Sequence, residues 1–353
     1  MATLFKTVDI KYIENLIERY MSKPKIVSFL PYPPDYMLQF VSKKVDPSEF
    51  ELHACKAETW EEAVPHVGDA TIIIHGPVNP YLSREVLETA KNLKLVQFGS
   101  IGYAQIDLDA ASELKIPVAN NHAFCATSVA EYTIIAILAL LRRTFVAYRA
   151  CKEGDWNANQ MIEQSASLHE LGDKTLGILG LGSIGSGVAR CAKGFGCRIL
   201  YNKRNRLSPE EENELGVEFA KFDRLVENSD ILTLHAPLNE STKGLISRDV
   251  IGRMKQGSYL VNTARSGLVD EDALLDALKE GRLAGACIDV PRPPEARQGF
   301  LDRFGGLDNV IVTPHISALT IEAMERSKDQ LSENVRRVLA GEAPLFVVNS
   351  DKL

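Results

Sequence analysis

The sequence predicts an α/β protein of two doubly wound parallel-sheet domains. Three observations carry this: the chain length, two successive series of short apolar runs alternating with helical patterns, and a glycine-rich turn at the head of the second series. At 353 residues the chain exceeds one ordinary core, since domains commonly hold about 100 to 200 residues. Hydrophobic residues at 45% and charged residues at 25% match a globular chain rather than a disordered or fibrous one.

The opening stretch, "MATLFKTVDIKYIENLIERYMSK", carries Asp9, Glu14 and Glu18. It suits an amphipathic helix and argues against a signal or transit peptide. From Lys25 the runs "KIVSFL", "FELHAC", "ATIIIHG", "LKLVQFG" and "IPVAN" alternate with helical stretches such as "TWEEAVPHV" and "SREVLETAKN". Strand and helix in alternation predict a parallel sheet covered on both faces.

A helical pattern then begins near "SVAEYT", with Ser128 as candidate cap, and runs without a breaker to about Cys151. Its apolar surface suggests burial against a second subunit, hence a homodimer. The second series follows as "KTLGILGLG", "CRILYN", "DILTLHAP", "SYLVNTA", "GACIDV" and "NVIVTP". The last helix, in "TIEAMERSKDQLSENVRRVLAGE", comes after that sheet is complete, and its return to the first domain would make that domain discontinuous. The expected division is residues 1–124 with 320–353, and 125–319.

Acidic residues outnumber basic ones 47 to 40, for a net charge of -7, so no overall positive field draws nucleic acid or an anionic membrane. A small molecule is the expected partner. The apolar run at residues 133–141 is too short to span a bilayer and is closed by Arg142 and Arg143. Six scattered cysteines with no C-x-x-C pair indicate neither a disulfide framework nor a metal site, and fit a reducing cytoplasm.

Gly180, Gly182 and Gly185 form G-x-G-x-x-G directly after an apolar strand and at the start of a helix. The first glycine permits the tight turn, the second lets a pyrophosphate approach the backbone, and the third lets helix and strand pack closely. A plain strand-to-helix turn is the alternative. This context makes the second domain a Rossmann dinucleotide-binding domain. Where an NAD-binding chain carries an acidic residue for the ribose hydroxyls, this one has Asn202, followed by Lys203, Arg204 and Arg206. Without the carboxylate, a 2'-phosphate meets cations and no repulsion, which favours NADP(H) over NAD(H); a solvated basic loop is the other reading.

From about Ala70 to His315 the chain resembles the D-isomer specific 2-hydroxyacid dehydrogenases. The resemblance rests on "GYAQIDLDAASELKIPVANN", "SVAEYT", "LGILGLGSIG", "LHAPLNESTKGLI", "VNTARSGLVDEDALLDAL" and "VIVTPHIS" in that order. It implies a flavodoxin-like substrate domain beside the Rossmann domain, with the active site in the cleft between them. The implied activity is hydride transfer between a nicotinamide cofactor and C2 of a 2-oxo or 2-hydroxy acid. Some relatives of this fold instead act as nucleotide-sensing corepressors, and formate- or phosphite-type dehydrogenases share much of the pattern.

Residue by residue, Arg265 matches the arginine that grips the substrate carboxylate and carbonyl, for which a planar, permanently charged fork of donors is suited. His315 matches the acid/base at the C2 oxygen. The resemblance further places Ser183 and Ile184 at the pyrophosphate, and Ala236 and Pro237 by the adenine, with His235 and Thr242 in the same loop. Thr263 falls near the nicotinamide, Asp289 at its carboxamide and Val129 on its flank, with Ala264, Ser317 and Ala318 as further cofactor contacts. The substrate carboxylate would also meet main-chain N–H groups of His75, Gly76 and Val78, and of Ser100, Ile101 and Gly102; Pro77 has none to give.

Two departures stand out. "ARSG" replaces the usual "ARGG", and the family's "DVFxxEP" becomes "DVPRPPE". Counting five residues from Asp289 reaches Pro294, with Glu295 one further on. Glu295 is the nearest carboxylate that could hold His315 in one tautomer and raise its pKa. It could equally make a surface ion pair with Arg292 and Arg297. As a catalytic partner, its change to Gln should cut turnover; without such a partner, reduction should weaken and its pH profile move to lower pH.

Overall fold

A computed structural model of the chain describes residues 23–156, 168–290 and 294–353. The expected N-terminal helix and Arg292 lie outside the described residues. By its internal contacts the chain divides into two compact units, one formed by residues 1–124 and 324–353, the other by 125–323.

The first unit runs β1 (Lys25–Ser28), α1 (Pro34–Val41), β2 (Glu51–Ala54), α2 (Trp60–Val67), β3 (Ala70–His75), α3 (Arg84–Thr89), β4 (Leu95–Phe98), α4 (Leu108–Glu113) and β5 (Val118–Ala119). All five strands are parallel, in the order β2-β1-β3-β4-β5, the flavodoxin-like arrangement. The near-continuous apolar runs follow from burial on both faces. Ile26, Ile72 and Ile74 enter one core with Met37 and Phe40, while Val27 and Ile73 enter the other with Ala63 and Val67.

The second unit opens with α5 (Ala126–Leu141) and α6 (Thr144–Lys152). The uninterrupted helix expected to Cys151 is therefore two helices. Arg143, at φ +49°, takes the left-handed conformation that closes a helix, a place usually marked by Gly or Asn, so nothing in the sequence signalled the break. Ser128 is not the cap either: the helix begins at Ala126 after Cys125, and the Ser128 hydroxyl, inside the helix, donates to the Ser317 carbonyl.

There follow β6 (Thr175–Leu179), α7 (Ser183–Lys193), β7 (Arg198–Asn202), α8 (Pro209–Leu215), β8 (Glu218–Phe219), α9 (Phe222–Asn228), β9 (Ile231–Leu234), α10 (Arg248–Arg253), β10 (Ser258–Asn262), α11 (Glu271–Lys279), β11 (Leu283–Ile288), α12 (Pro294–Phe304) and β12 (Val310–Val312). The seven parallel strands lie in the order β12-β11-β10-β9-β6-β7-β8. The order reverses between β6 and β9, the switch point at which doubly wound sheets bind ligands.

Much of the apolar character of α5 is accounted for inside this unit. Ala130, Ile134, Ile137 and Leu140 share a core with Leu176, Ile178 and Val188. The helix lies so close to α7 that a Cβ on Gly187 would come 2.9 Å from that of Ala130. Burial against a second subunit is thus not needed to explain these residues, which corrects the reason for expecting it.

The chain closes with α13 (Ile321–Leu339), which supplies Leu331, Val335 and Val338 to the first unit's core. Among the described residues no helix is long and apolar enough to cross a membrane.

Candidate active site

The glycine turn joins β6 to α7 at the switch point, and each glycine has its own reason. Gly180 sits at φ +95°, and a Cβ there would lie 2.6 Å from the His235 carbonyl carbon. On Gly185 a Cβ would lie 2.2 Å from the Gly180 oxygen. Both are required by the protein's own packing.

Gly182 differs: its φ of -88° suits any residue, and a Cβ would meet no atom within 4 Å. The space beside it is thus open at an exposed position next to exposed Ser183. No side chain caps α7, and its first turn carries no acidic residue. The first-turn N–H groups, including those of Ser183 and Ile184, and the positive end of the helix dipole therefore suit an anion such as a dinucleotide pyrophosphate.

Asn202 ends β7, and its side-chain amide donates to the Ala220 carbonyl at 2.8 Å. Among the described residues no carboxylate pairs with half-buried Lys203 or exposed Arg204. Arg206 is otherwise engaged: its Nε and Nη2 meet both Glu212 oxygens at 2.8 and 2.9 Å. That pair orients the exposed Arg206 side chain toward α8.

His235 follows β9, with Nε2 3.0 Å from the Thr233 hydroxyl, and burial pushes its pKa down to about 3, so the ring is neutral. Ala236 is half-buried and Pro237 exposed. The Thr242 hydroxyl donates to the Pro237 carbonyl at 2.7 Å and accepts from the Asn239 N–H at 2.8 Å. It closes its own loop, and its expected cofactor contact is not what orients it.

At the end of β10, the Asn262 side chain accepts from the Ala264 N–H and donates to the Arg265 carbonyl, at 3.0 and 2.9 Å. Such an Asx-type turn fixes the loop locally. Buried Thr263 lies 3.3 Å, hydroxyl to hydroxyl, from Thr133, which in turn donates to the Val129 carbonyl. Arg265 is half-buried, with one hydrogen bond to the Ala264 carbonyl and no carboxylate partner among the described residues. Burial lowers its pKa from the usual value. An unpaired, partly desolvated guanidinium is costly, and a carboxylate fits its forked donors.

Asp289, wholly buried beyond β11, accepts at one oxygen from the Thr313 hydroxyl and the Ile316 N–H, at 2.7 and 2.8 Å, and at the other from the Ser317 N–H at 2.9 Å. Three bonds to the segment around His315 are thus its principal engagement, which the expected carboxamide contact did not include. Thr313 also hydrogen-bonds the Tyr132 hydroxyl. Sequence reasoning missed Tyr132 and Thr313, because nothing local marks residues so far apart in the chain as partners. Ala318 is half-buried beside Ser317.

His315, half-buried at φ +59°, feels Arg265 and Asp289. Burial first, then Arg265, lower its pKa, while Asp289 raises it, and the net direction is down. Arg265 and His315 are thereby brought into one electrostatic neighbourhood. Glu295 is not: it is exposed in the first turn of α12 and is not among the charges acting on the imidazole. The extra residue places it on a helix rather than in the loop expected from the proline-rich stretch.

In the first unit, two loops leave the ends of β3 and β4. The His75 ring is buried, with Nε2 donating to the Pro80 carbonyl at 2.8 Å. The N–H groups of Gly76, Val78, Ser100, Ile101 and Gly102 donate to no acceptor among the described residues. By contrast, the carbonyls of Ser100, Ile101 and Gly102 are engaged, by Asn121, Asn120 and the Ser100 hydroxyl. A Cβ on Gly76 would lie 2.6 Å from the Leu30 side chain.

A doubly wound sheet with an anion-ready glycine turn at its switch point, followed by an unpaired arginine and a histidine, defines a dinucleotide-binding oxidoreductase class. The family model described as "D-isomer specific 2-hydroxyacid dehydrogenase, NAD binding domain" matches residues 134–317, and the chain belongs to the D-isomer specific 2-hydroxyacid dehydrogenase family. A glyoxylate reductase of Thermococcus litoralis is 35% identical over 278 residues, 78% of this chain and 83% of the relative. The chloroplastic/mitochondrial formate dehydrogenase of Arabidopsis thaliana is 32% identical, over 80% of this chain and 72% of the relative. Among solved structures, a glyoxylate reductase from Paecilomyes thermophila superposes with a TM-score of 0.77 at 29% identity, covering 93% of this chain and 99% of that one. These similarities support a nicotinamide cofactor and an NAD(P)-dependent 2-hydroxyacid dehydrogenase acting as a 2-oxoacid reductase.

Proposed function

We propose that the protein reduces a small 2-oxo acid to the D-2-hydroxy acid with NADPH. The observation that carries this is an Arg265 without a carboxylate partner among the described residues that acts electrostatically on His315, in the same unit as an anion-ready glycine turn. When bound, the reduced nicotinamide supplies the hydride that reaches C2. Arg265 holds the carboxylate and polarises the C2 carbonyl through its fork of donors. His315 gives its proton to the oxygen at C2 as the C=O π bond breaks and that oxygen gains alkoxide character, and takes it back in the reverse direction.

For the cofactor, Gly182 leaves room for the pyrophosphate, and the N–H groups of Ser183 and Ile184 bind it. Lys203 and Arg204, past Asn202, accept a 2'-phosphate. The N–H groups of Gly76, Ser100 and Ile101 are proposed donors to the substrate carboxylate. Ile135, Phe145 and Tyr148, exposed on α5 and α6 at 59%, 54% and 63%, support a homodimer.

The test is absorbance of the reduced nicotinamide when the pure protein meets NADPH with glyoxylate, hydroxypyruvate and bulkier 2-oxo acids. Turnover of at least one supports the reading. Tight NADPH binding with no turnover of any would replace it with a nucleotide-sensing scaffold, and turnover of formate with NADP+ or NAD+ alone would replace the substrate class.

A further inference from the structure

Away from the dinucleotide fold, the first unit carries a side-chain cluster that the proposed reaction does not use. β2 is an edge strand, and its ladder continues one residue further, the Cys55 N–H donating to the Ser28 carbonyl at 2.9 Å. His53 and Cys55 are thus two residues apart on an extended backbone, and their side chains leave the same face of the sheet. That face is covered by α2: Cys55 packs against the core that holds Ala63 and Val67, and the last turn of α2 brings up His66.

His53 Nε2 and His66 Nδ1 are 3.0 Å apart, and one ring nitrogen of each histidine and the Cys55 sulfur all lie within 4.8 Å of one another. Among the described residues this is the one group of three His, Cys, Asp or Glu side chains so converged. Around a tetrahedral zinc with nitrogens at 2.0 to 2.1 Å and sulfur at about 2.3 Å, donor atoms sit roughly 3.3 to 3.6 Å apart. The cluster meets that spacing with shifts of a few tenths of an ångström on one side and about an ångström on the other.

We propose that His53, Cys55 and His66 form a binding site for a zinc-class divalent cation. Two imidazoles and a thiolate are a borderline-soft donor set, which favours zinc over magnesium or calcium. Water completes the coordination on the exposed side of His53, and the next carboxylate, Asp69, is held by Lys25 at 2.7 Å. The cation clips the edge strand β2 to α2, so that binding stabilises the fold by mass action. The spacing escapes a search for C-x-x-C because the donors come from a strand and a helix rather than from one loop.

The test is zinc titration of the chelator-treated full-length protein against a chromophoric competitor, with cobalt(II) as a spectroscopic probe of thiolate ligation. Expected are about one zinc per chain, a cobalt–thiolate charge-transfer band, and a zinc-dependent rise in Tm. Cys55→Ser should abolish the band, and His53→Ala and His66→Ala should each weaken zinc binding by at least about tenfold, with NADPH turnover unchanged in all three. No uptake at micromolar zinc, or uptake of the same affinity in all three variants, overturns the proposal.

Discussion

Asp289 holds His315 in a left-handed backbone conformation. The carboxylate reaches both sides of that residue, accepting from the Thr313 hydroxyl before it and from the Ile316 and Ser317 N–H groups after it, while the His315 φ is +59°. A non-glycine residue in that region costs of order 1 kcal/mol or more and persists only where its surroundings enforce it. Asp289 is thus a positioning residue for the proposed acid/base, and it is also the one neighbour that raises the His315 pKa. Asp289→Asn keeps the size but puts an amide NH2 against an N–H donor. We expect a stability loss of about 1.5 to 3 kcal/mol and a kcat for reduction lower by roughly 10². Reduction needs the protonated imidazole, so its rate falls as pH rises through the His315 pKa, already below the ordinary histidine value. Losing the Asp289 charge should move that fall to still lower pH. An unaltered pH profile with lowered stability would leave Asp289 a purely structural role.

Gly182 and Gly185 separate ligand space from packing. Gly182→Ala adds a Cβ that meets nothing within 4 Å at a φ of -88°, so Tm should hold or rise slightly. NADPH affinity should fall by about tenfold or more if the methyl stands at the proposed place of the pyrophosphate. Gly185→Ala drives a Cβ to 2.2 Å from the Gly180 oxygen, and should destabilise the fold itself by about 2 kcal/mol or more. Calorimetry of NADPH binding alongside thermal melts distinguishes the two, and full affinity in Gly182→Ala would remove the pyrophosphate from this turn.

Glu295 faces solvent on α12, so Glu295→Gln should change turnover by less than about twofold, the scale of ordinary surface changes, and should leave the pH profile in place. The reversed outcome, with the profile displaced downward, would restore Glu295 as the partner of His315.

The proposed preference for NADPH rests on three adjacent side chains. Asn202→Asp puts a carboxylate at the end of β7, where ribose hydroxyls would accept it and a 2'-phosphate would be repelled. The ratio of KM for NADPH to KM for NADH should rise by about tenfold or more, with a smaller rise for Lys203→Ala or Arg204→Ala. Wild-type protein that already favours NADH would overturn the preference.

Both sheets were legible in the sequence because their strands are buried on both faces, which writes them as unbroken apolar runs such as "ATIIIH" and "SYLVN". The glycine turn was legible because Gly180 and Gly185 answer to local sterics. The break at Arg143 was not, since an arginine occupies the left-handed position where glycine is usual. Nor was the place of Glu295, for one extra residue shifts it from a loop position to a solvent-facing helix. The bonds of Asp289 to Thr313, Ile316 and Ser317 join β11 to the segment after β12, and the contacts of Tyr132 and Ser128 join that segment to α5. Such pairings depend on tertiary proximity and leave no periodic mark.

His75 predicts a pH dependence of stability distinct from that of activity. The ring is fully buried between Phe29 and Phe98, with Nε2 donating to the Pro80 carbonyl and Nδ1 without a partner among the described residues. Burial lowers its pKa from 6.5 to about 4. Between those values the unfolded chain binds a proton that the folded protein does not, so stability falls as pH falls through this window. The contribution of His75 is complete above pH 6.5 and fully lost near pH 4, a difference of about 3 kcal/mol by linkage. His75→Phe keeps the aromatic packing and removes the titration, at a cost of about 1 kcal/mol for the lost bond to Pro80. Urea unfolding at stepwise pH should show wild type losing stability more steeply than His75→Phe across this range, the two curves crossing at about pH 6 and wild type ending about 2 kcal/mol the less stable near pH 4. Parallel curves would mean that the imidazole gains a proton without leaving its pocket.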